Sequence, residues 1–179
     1  YASPVIGKLP VASVDTGHIL KILEPIWKNK SETASRLRGR VENTIINFMA
    51  LDLTAEHKML LALALKAQKN AHAPYSNFKV GAAIIDENAQ LHASCNVENA
   101  AYPLGQCAEA GAISAMIASG SKKIKQILIT SPNDEFCPPC GGCRQKIAEF
   151  ADKQTEVHLA TQSGNIKTVK FTELLPLAF

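Results

Sequence analysis

Along residues 54–179 the apolar positions keep two rhythms. Thr54 can cap a helix, and Leu60, Leu61, Leu63 and Leu65 sustain it to about Asn70, where Pro74-Tyr75-Ser76-Asn77 predicts a turn. Residues 78–84 and 91–97 then alternate apolar and small side chains around the polar Asp86-Glu87-Asn88, which predicts a hairpin of two strands. A helix is expected over 107–118, a buried strand over 124–130 and a helix from Cys140 to about Phe150. Strands near 156–160 and 167–171 follow, then a short terminal segment over 174–179. The order αββαβαββ predicts an α/β fold, a three-layer sheet with helices on its faces.

Residues 1–47 read differently. After Asp15 and Thr16, Ile19, Leu20, Ile22, Leu23 and Ile26 recur at helical spacing up to Trp27. Beyond Lys28-Asn29-Lys30, Ser31 can cap a second helix with Ala34, Leu37, Val41 and Ile45 along it and Arg36, Arg38 and Arg40 on other faces. The expected organisation is therefore a short helical appendage over 1–47 and one compact unit over 48–179. Residues 1–10 and 27–41 resemble part of the core-binding region of phage-type integrases, the tyrosine recombinases. That resemblance implies a DNA-clasping segment without catalytic residues, and a fusion with its junction near 46–51.

A chain of 179 residues, 46% hydrophobic, has length for one domain with a core plus an appendage. Its net charge of +3 does not demand a long electrostatic track for nucleic acid. No apolar run approaches the ~20 residues that cross a bilayer, and the amino end lacks the layout of a signal peptide. The expected compartment is the cytoplasm. Tyr1 stands where Met is usual, so the sequence reads as a fragment or a processed product. In a reducing setting, five cysteines with three packed into Cys137-Pro-Pro-Cys140-Gly-Gly-Cys143 point to metal ligation before disulfides.

Cys140 and Cys143 form a two-thiolate bite at a helix start. Cys107-Ala108-Glu109 opens the preceding helix, one strand earlier. In a strand-then-helix layout both helix starts lie at one end of the sheet, so Cys107, Cys140 and Cys143 can converge, and the helix dipoles favour thiolates. Three protein ligands on Zn2+ leave a fourth position for water, the arrangement of a catalytic site. Glu109, not needed as a ligand, is placed to move protons.

Cys107-Ala-Glu109 with Pro139-Cys140-Gly-Gly-Cys143 resembles the cytidine deaminases, a zinc-deaminase signature that is itself a standard example of this chemistry. Tyr75-Ser-Asn-Phe78-Lys-Val80-Gly-Ala-Ala and Asn96-Val-Glu98-Asn-Ala-Ala-Tyr102-Pro extend the likeness over residues 53–179. The resemblance implies a cytidine-deaminase-like three-layer αβα fold, Zn2+ as cofactor and the hydrolytic deamination of cytidine and deoxycytidine in pyrimidine salvage. The cysteine-first variant implies the small homotetrameric branch. Phe78 would stack on the base, Asn96 and Glu98 would bind the ribose hydroxyls, and the Ala108 N–H would hold the base carbonyl. Tyr102 and Phe179 would complete a neighbouring subunit's site. Many cysteine-type members carry Arg directly after the glutamate; here that position is Ala110, and Arg144 is the expected replacement cation.

The rival readings are weaker on the same residues. A ferredoxin-like cluster would need a further cysteine at position 147, which is Ile. Cys95 is expected as a buried thiol, Cys137 as a spectator, and His18, His57, His72, His92 and His158 without catalytic roles. A DNA-binding module through residues 1–47 is the alternative of another class. A polynucleotide editor is disfavoured by the ribose element and the lack of an aromatic-basic track. Ribose against deoxyribose preference is not decided by the sequence, nor is the oligomeric state fixed by it.

Overall fold

A computed structural model describes residues 54–177 and the isolated residue 21. The two helices expected within 1–47, the junction near 46–51 and Phe179 lie outside the described residues. The chain divides into two compact units, Tyr1–Asp52 and Leu53–Phe179. The sheet and the helices that cover it belong to the second unit.

The first element, α1 (Ala55–Lys69), starts where Thr54 takes an extended conformation and its hydroxyl accepts from the His57 N–H. Glu56 in the first turn and Lys66 and Lys69 in the last complement the helix dipole. Five strands follow: β1 (Gly81–Asp86), β2 (Leu91–Cys95), β3 (Ile124–Thr130), β4 (Glu156–Ala160) and β5 (Ile166–Lys170). Between them lie α2 (Ala108–Ala118) and α3 (Gly141–Ala148), and α4 (Phe171–Leu174) closes the described unit. The sheet order is β2-β1-β3-β4-β5. All neighbours are antiparallel except β3 and β4, which are parallel and joined through α3.

Alternation along the strands feeds two cores. Ala82, Ile84, Ile127, Ile129, Val157 and Leu159 face α2 and α3, together with Ala108, Ala112, Met116 and Ile147. Ala83, Ile85, Leu128 and Ala160 face α1 through Leu60 and Ala64. Every residue of β1 is buried, because the strand is covered on both faces. The expected three-layer α/β sheet is the observed one. The approach is close on both sides: a Cβ on Gly81 would meet the Ala64 carbonyl of α1, and one on Gly111 would meet the Ser94 side chain of β2. Gly111 thereby seats α2 directly on the sheet and fixes the height of its first turn.

The strands are shorter than the alternation suggested. Phe78–Val80 leave the ladder because the Asn96 side chain replaces it, accepting from the Val80 N–H at 2.8 Å and donating to the Phe78 carbonyl at 2.9 Å. At the other end Phe171 turns out of β5 into α4, where the Glu173 carboxylate accepts from the Lys170 N–H at 2.7 Å. The hairpin turn is closed by the fully buried Asp86, whose carboxylate accepts from the Asn88 and Gln90 N–H groups and meets His92 Nε2 at 2.7 Å. Burial pushes the Asp86 carboxyl up, but Ser121, His92 and these backbone donors outweigh it and hold its pKa at about 2. Cys95, expected as a buried thiol, is only half-buried because β2 is an edge strand.

Candidate active site

β2 and β3 run in the same direction, each being antiparallel to β1, so the connections leaving them arrive at one end of the sheet. One delivers α2 and the other α3. Cys107 caps α2 with φ −71° and ψ 154°, and Cys140 caps α3 with φ −63° and ψ 165°. Two helix starts of the same local conformation thus face each other. Cys143, in the first turn of α3, donates its N–H to Cys140 Sγ at 3.4 Å and is 1% exposed. The Sγ atoms of Cys107 and Cys140 are 3.9 Å apart, and all three sulfurs lie within 4.8 Å of one another.

Those sulfurs cannot all ionise without a cation among them. The Cys143 thiol donates to Cys107 and, with Cys140 adding a further hydrogen bond, brings the Cys107 thiol down to about 6. Serving as that donor, and buried beside Glu109, Cys143 is itself pushed far above the ordinary thiol range. Only a bound metal lets both be thiolates, and an S3 set with a fourth position open suits zinc. Cys137 stays outside the trio, its Sγ directed to the Pro138 carbonyl at 3.9 Å, and burial pushes its thiol up.

Glu109, on the first turn of α2, is 4% exposed. Burial raises its carboxyl above the usual value, while its own backbone N–H, the Cys143 thiol and Lys146 pull the other way. A carboxyl poised upward in this manner suits a group that must both accept and return a proton. Ala108 is fully buried at the start of α2, where a backbone N–H lacks a partner within the helix.

The rim is built differently. Glu98 is held by the Tyr75 N–H at 3.0 Å, the Ser76 N–H at 3.3 Å and the Ser76 hydroxyl. The Ser76 hydroxyl chiefly, then the two backbone groups, hold the Glu98 carboxyl below its usual value against partial desolvation. Tyr75, Ser76, Glu98, Asn99, Tyr102 and Gly105 line a cavity of about 420 Å³. The Tyr75 and Tyr102 rings meet edge to face at 6.3 Å, and Tyr102 is 78% exposed. Phe78 is half-buried, and Asn96 keeps one N–H and one lone pair beyond its two backbone bonds. Arg144, expected as the cation beside the cysteines, donates through Nε to the Pro139 carbonyl at 2.9 Å and through Nη1 to the Leu174 carbonyl at 3.3 Å.

Sequence reading passed over Ser76 and Lys146. Ser76 was legible as a hydroxyl two residues before Phe78, to whose N–H it binds at 3.0 Å. Lys146 follows Cys143 by three residues, the spacing of neighbours on a helix surface.

A helix-borne three-cysteine site on a mixed five-stranded sheet defines a zinc-deaminase class, and comparison with known proteins agrees. The family described as "Cytidine and deoxycytidylate deaminase zinc-binding region" matches residues 54–159. The cytidine deaminase of Halalkalibacterium halodurans is 36% identical over 124 residues, covering 69% of this chain and 94% of that protein. That of Sporosarcina psychrophila is 38% identical over 120 residues, covering 67% and 88%. The crystal structure of cytidine deaminase from Burkholderia pseudomallei superposes with a TM-score of 0.66 at 38% identity, over 69% of this chain and 98% of that one. This chain belongs to the cytidine and deoxycytidylate deaminase family. Residues 1–51 match a second family, the phage integrase central domain.

Proposed function

We propose that this protein hydrolyses the 4-amino group of cytidine and deoxycytidine, yielding uridine or deoxyuridine and ammonia, in pyrimidine salvage. The observation that carries the reading is the convergence of three sulfurs within 4.8 Å at two helix starts, beside a carboxylate that is 4% exposed. Cys107, Cys140 and Cys143 would hold zinc, which when bound supplies a Lewis acid able to lower a water's pKa from about 15.7 to near 7. Glu109 takes a proton from the attacking water and gives it to the ring nitrogen N3. As the C4–N bond breaks, the same carboxylate takes the proton of the new C4 hydroxyl and passes it to the departing amine, so that ammonia leaves and the C4 carbonyl forms, and burial keeps competing water away from it. The Ala108 N–H holds the base carbonyl and Phe78 offers its face to the pyrimidine. Asn96 and Glu98 bind the sugar hydroxyls, a role supported by the spare amide capacity of Asn96 and by the ionised, pre-positioned Glu98 at the cavity wall.

Tyr102 and Phe179 complete a neighbouring subunit's site in a homotetramer. The support is an apolar rim, since Leu104 beside Tyr102 is 72% exposed and Val97 and Phe136 are also open to solvent. We assign the activity to the cytoplasm, where five unpaired cysteines remain reduced; no helix among the described residues is long and apolar enough to cross a membrane. Residues 1–47 are read as an integrase-like fragment fused to a deaminase domain over 48–179. A DNA-binding role for that fragment rests on resemblance alone and is not adopted.

The test is loss of ultraviolet absorbance when cytidine or deoxycytidine is incubated with zinc-loaded protein, comparing wild type with Glu109→Ala. Turnover by wild type and none by the variant is expected. Absence of turnover of either nucleoside by wild type would overturn the proposal.

A further inference from the structure

Two stretches of chain meet at the cavity rim, residues 72–78 and 96–98. Backbone bonds tie one end of that meeting: the Glu98 N–H donates to the His72 carbonyl at 2.8 Å and the His72 N–H to the Asn96 carbonyl at 3.1 Å. Beyond His72 the first stretch turns on itself. The Asn77 N–H donates back to the Ala73 carbonyl at 3.0 Å, and Asn77 takes φ 55°, a left-handed conformation that asparagine tolerates. Ser76 joins this turn to Glu98. Its hydroxyl accepts from the Phe78 N–H at 3.0 Å and has one proton to give, which goes to Glu98 Oε1. The other carboxylate oxygen, Oε2, takes the Tyr75 and Ser76 N–H groups. The Phe78 carbonyl accepts from the Asn96 amide, so both polar backbone groups of Phe78 are held by side chains.

One hydrogen-bonded chain, from the Phe78 N–H through the Ser76 hydroxyl to the Glu98 carboxylate, thus joins the residue offered to the base with one offered to the sugar. We infer that Ser76 is a positioning residue that fixes Glu98 relative to Phe78, so that base and sugar are gripped as one unit. The inference rests on the proposed roles of Phe78 and Glu98. A hydroxyl suits this place because it accepts and donates at once, and its donated bond goes to an ionised acceptor, the stronger kind. With Oε2 occupied by two N–H groups and Oε1 by one hydroxyl, Oε1 keeps a lone pair for a sugar hydroxyl at the wall of the cavity that Tyr75, Ser76, Glu98 and Tyr102 line. Without the Ser76 hydroxyl, Glu98 retains its backbone donors on Oε2, but Oε1 is left to turn about them. Ser76 works through Glu98 and Phe78 and takes no part in the chemistry at the floor.

Steady-state kinetics on cytidine with zinc-loaded protein test the role, comparing wild type, Ser76→Ala, Ser76→Thr, Glu98→Gln and the double variant Ser76→Ala/Glu98→Gln, with thermal melting of each sample. Ser76→Ala is expected to raise KM about fivefold, with kcat falling by less than about twofold. Ser76→Thr keeps the hydroxyl and should stay within about twofold of the wild-type KM. The double variant should have a KM within about twofold of Glu98→Gln alone, because the serine acts through the carboxylate. For 2′,3′-dideoxycytidine, which brings no ring hydroxyl to Glu98, Ser76→Ala should change KM less than it does for cytidine. An unchanged KM for cytidine in Ser76→Ala, or losses that simply multiply in the double variant, would overturn the role of Ser76 while leaving the deamination reading standing. No turnover of cytidine by wild type would overturn that reading and the role of Ser76 with it.

Discussion

The floor and the rim of the site are made in opposite ways. At the floor, Cys107 and Cys140 cap their helices while Glu109 and Cys143 sit in the first turns, set by backbone geometry and by Gly111 bringing α2 hard against β2. At the rim, Asn96 and Glu98 come from a loop and are set by side chains bonding to backbone: Asn96 on Phe78 and Val80, Glu98 on Tyr75 and Ser76. The floor spends its side chains on chemistry and lets the main chain hold them. The rim uses its side chains to hold its own loop, and the proposed function asks the same side chains to meet the sugar. Damage at the floor should therefore remove chemistry from an intact fold, whereas damage at the rim should loosen the loop and weaken binding together.

The sharpest separation is expected from Glu109→Gln. Its kcat should fall by about 10³-fold with zinc content and melting temperature nearly unchanged, the loss expected for a proton-transferring group; steady-state kinetics and metal analysis check this. A fall in zinc content matching the fall in kcat would show that Glu109 serves the metal and not the protons.

Acid should act on a region apart from both floor and rim. His158 is fully buried in β4 on the α1 side, its Nδ1 bonded to Thr168 Oγ1 at 2.8 Å and its Nε2 without a partner. Its ring stands edge to face with His57 at 4.4 Å. Burial, reinforced by His57, lowers its pKa from 6.5 to about 4. Below pH 6.5 the unfolded chain binds a proton that the folded one refuses, so stability falls with pH until the folded protein also takes it up near 4. The loss across that window is of the order of 3 kcal/mol, to be read from urea unfolding at a series of pH values, and His158→Gln should flatten the slope.

At the rim, Asn96→Ala should cost about 2 kcal/mol of stability by stripping Phe78 and Val80 of their partners, along with a raised KM for cytidine. Thermal melting and kinetics on the same sample test the coupling; a raised KM with unchanged stability would mean that the rim is held by something else. Smallest is Glu98→Gln, which keeps the shape but removes the charge. Its KM should rise about tenfold, equivalent to about 1.4 kcal/mol, with kcat less affected.

Much of the floor was legible because its determinants are local. Spacing placed Cys107 and Cys140 at helix starts, and α1, α2, α3, β3 and β4 lie within a residue or two of where periodicity put them. The rim was legible mainly through resemblance, since neither alternation nor capping says that the Asn96 amide would stand in for a ladder. That substitution depends on residues 16 and 18 positions away in sequence, and it shortened the first strand at Phe78–Val80. Arg144 was legible from its place next to Cys143, but not its partners: its guanidinium donates to the carbonyls of Pro139 and Leu174, the latter 30 residues away.

The separation of Cys107 from Cys140 by 33 residues bears on when metal can be captured. In the unfolded chain Cys140 and Cys143 remain a ready two-sulfur clamp, while Cys107 wanders with the far end of a long loop. The unfolded chain can therefore hold zinc loosely before the native sheet forms. The gain in native stability on metallation then reflects the third sulfur and the walls around it, so zinc should raise the melting temperature by less than its affinity for the folded protein alone would imply. Zinc in excess would also retain its grip on the denatured chain and slow the metal's exchange with competing chelators during refolding.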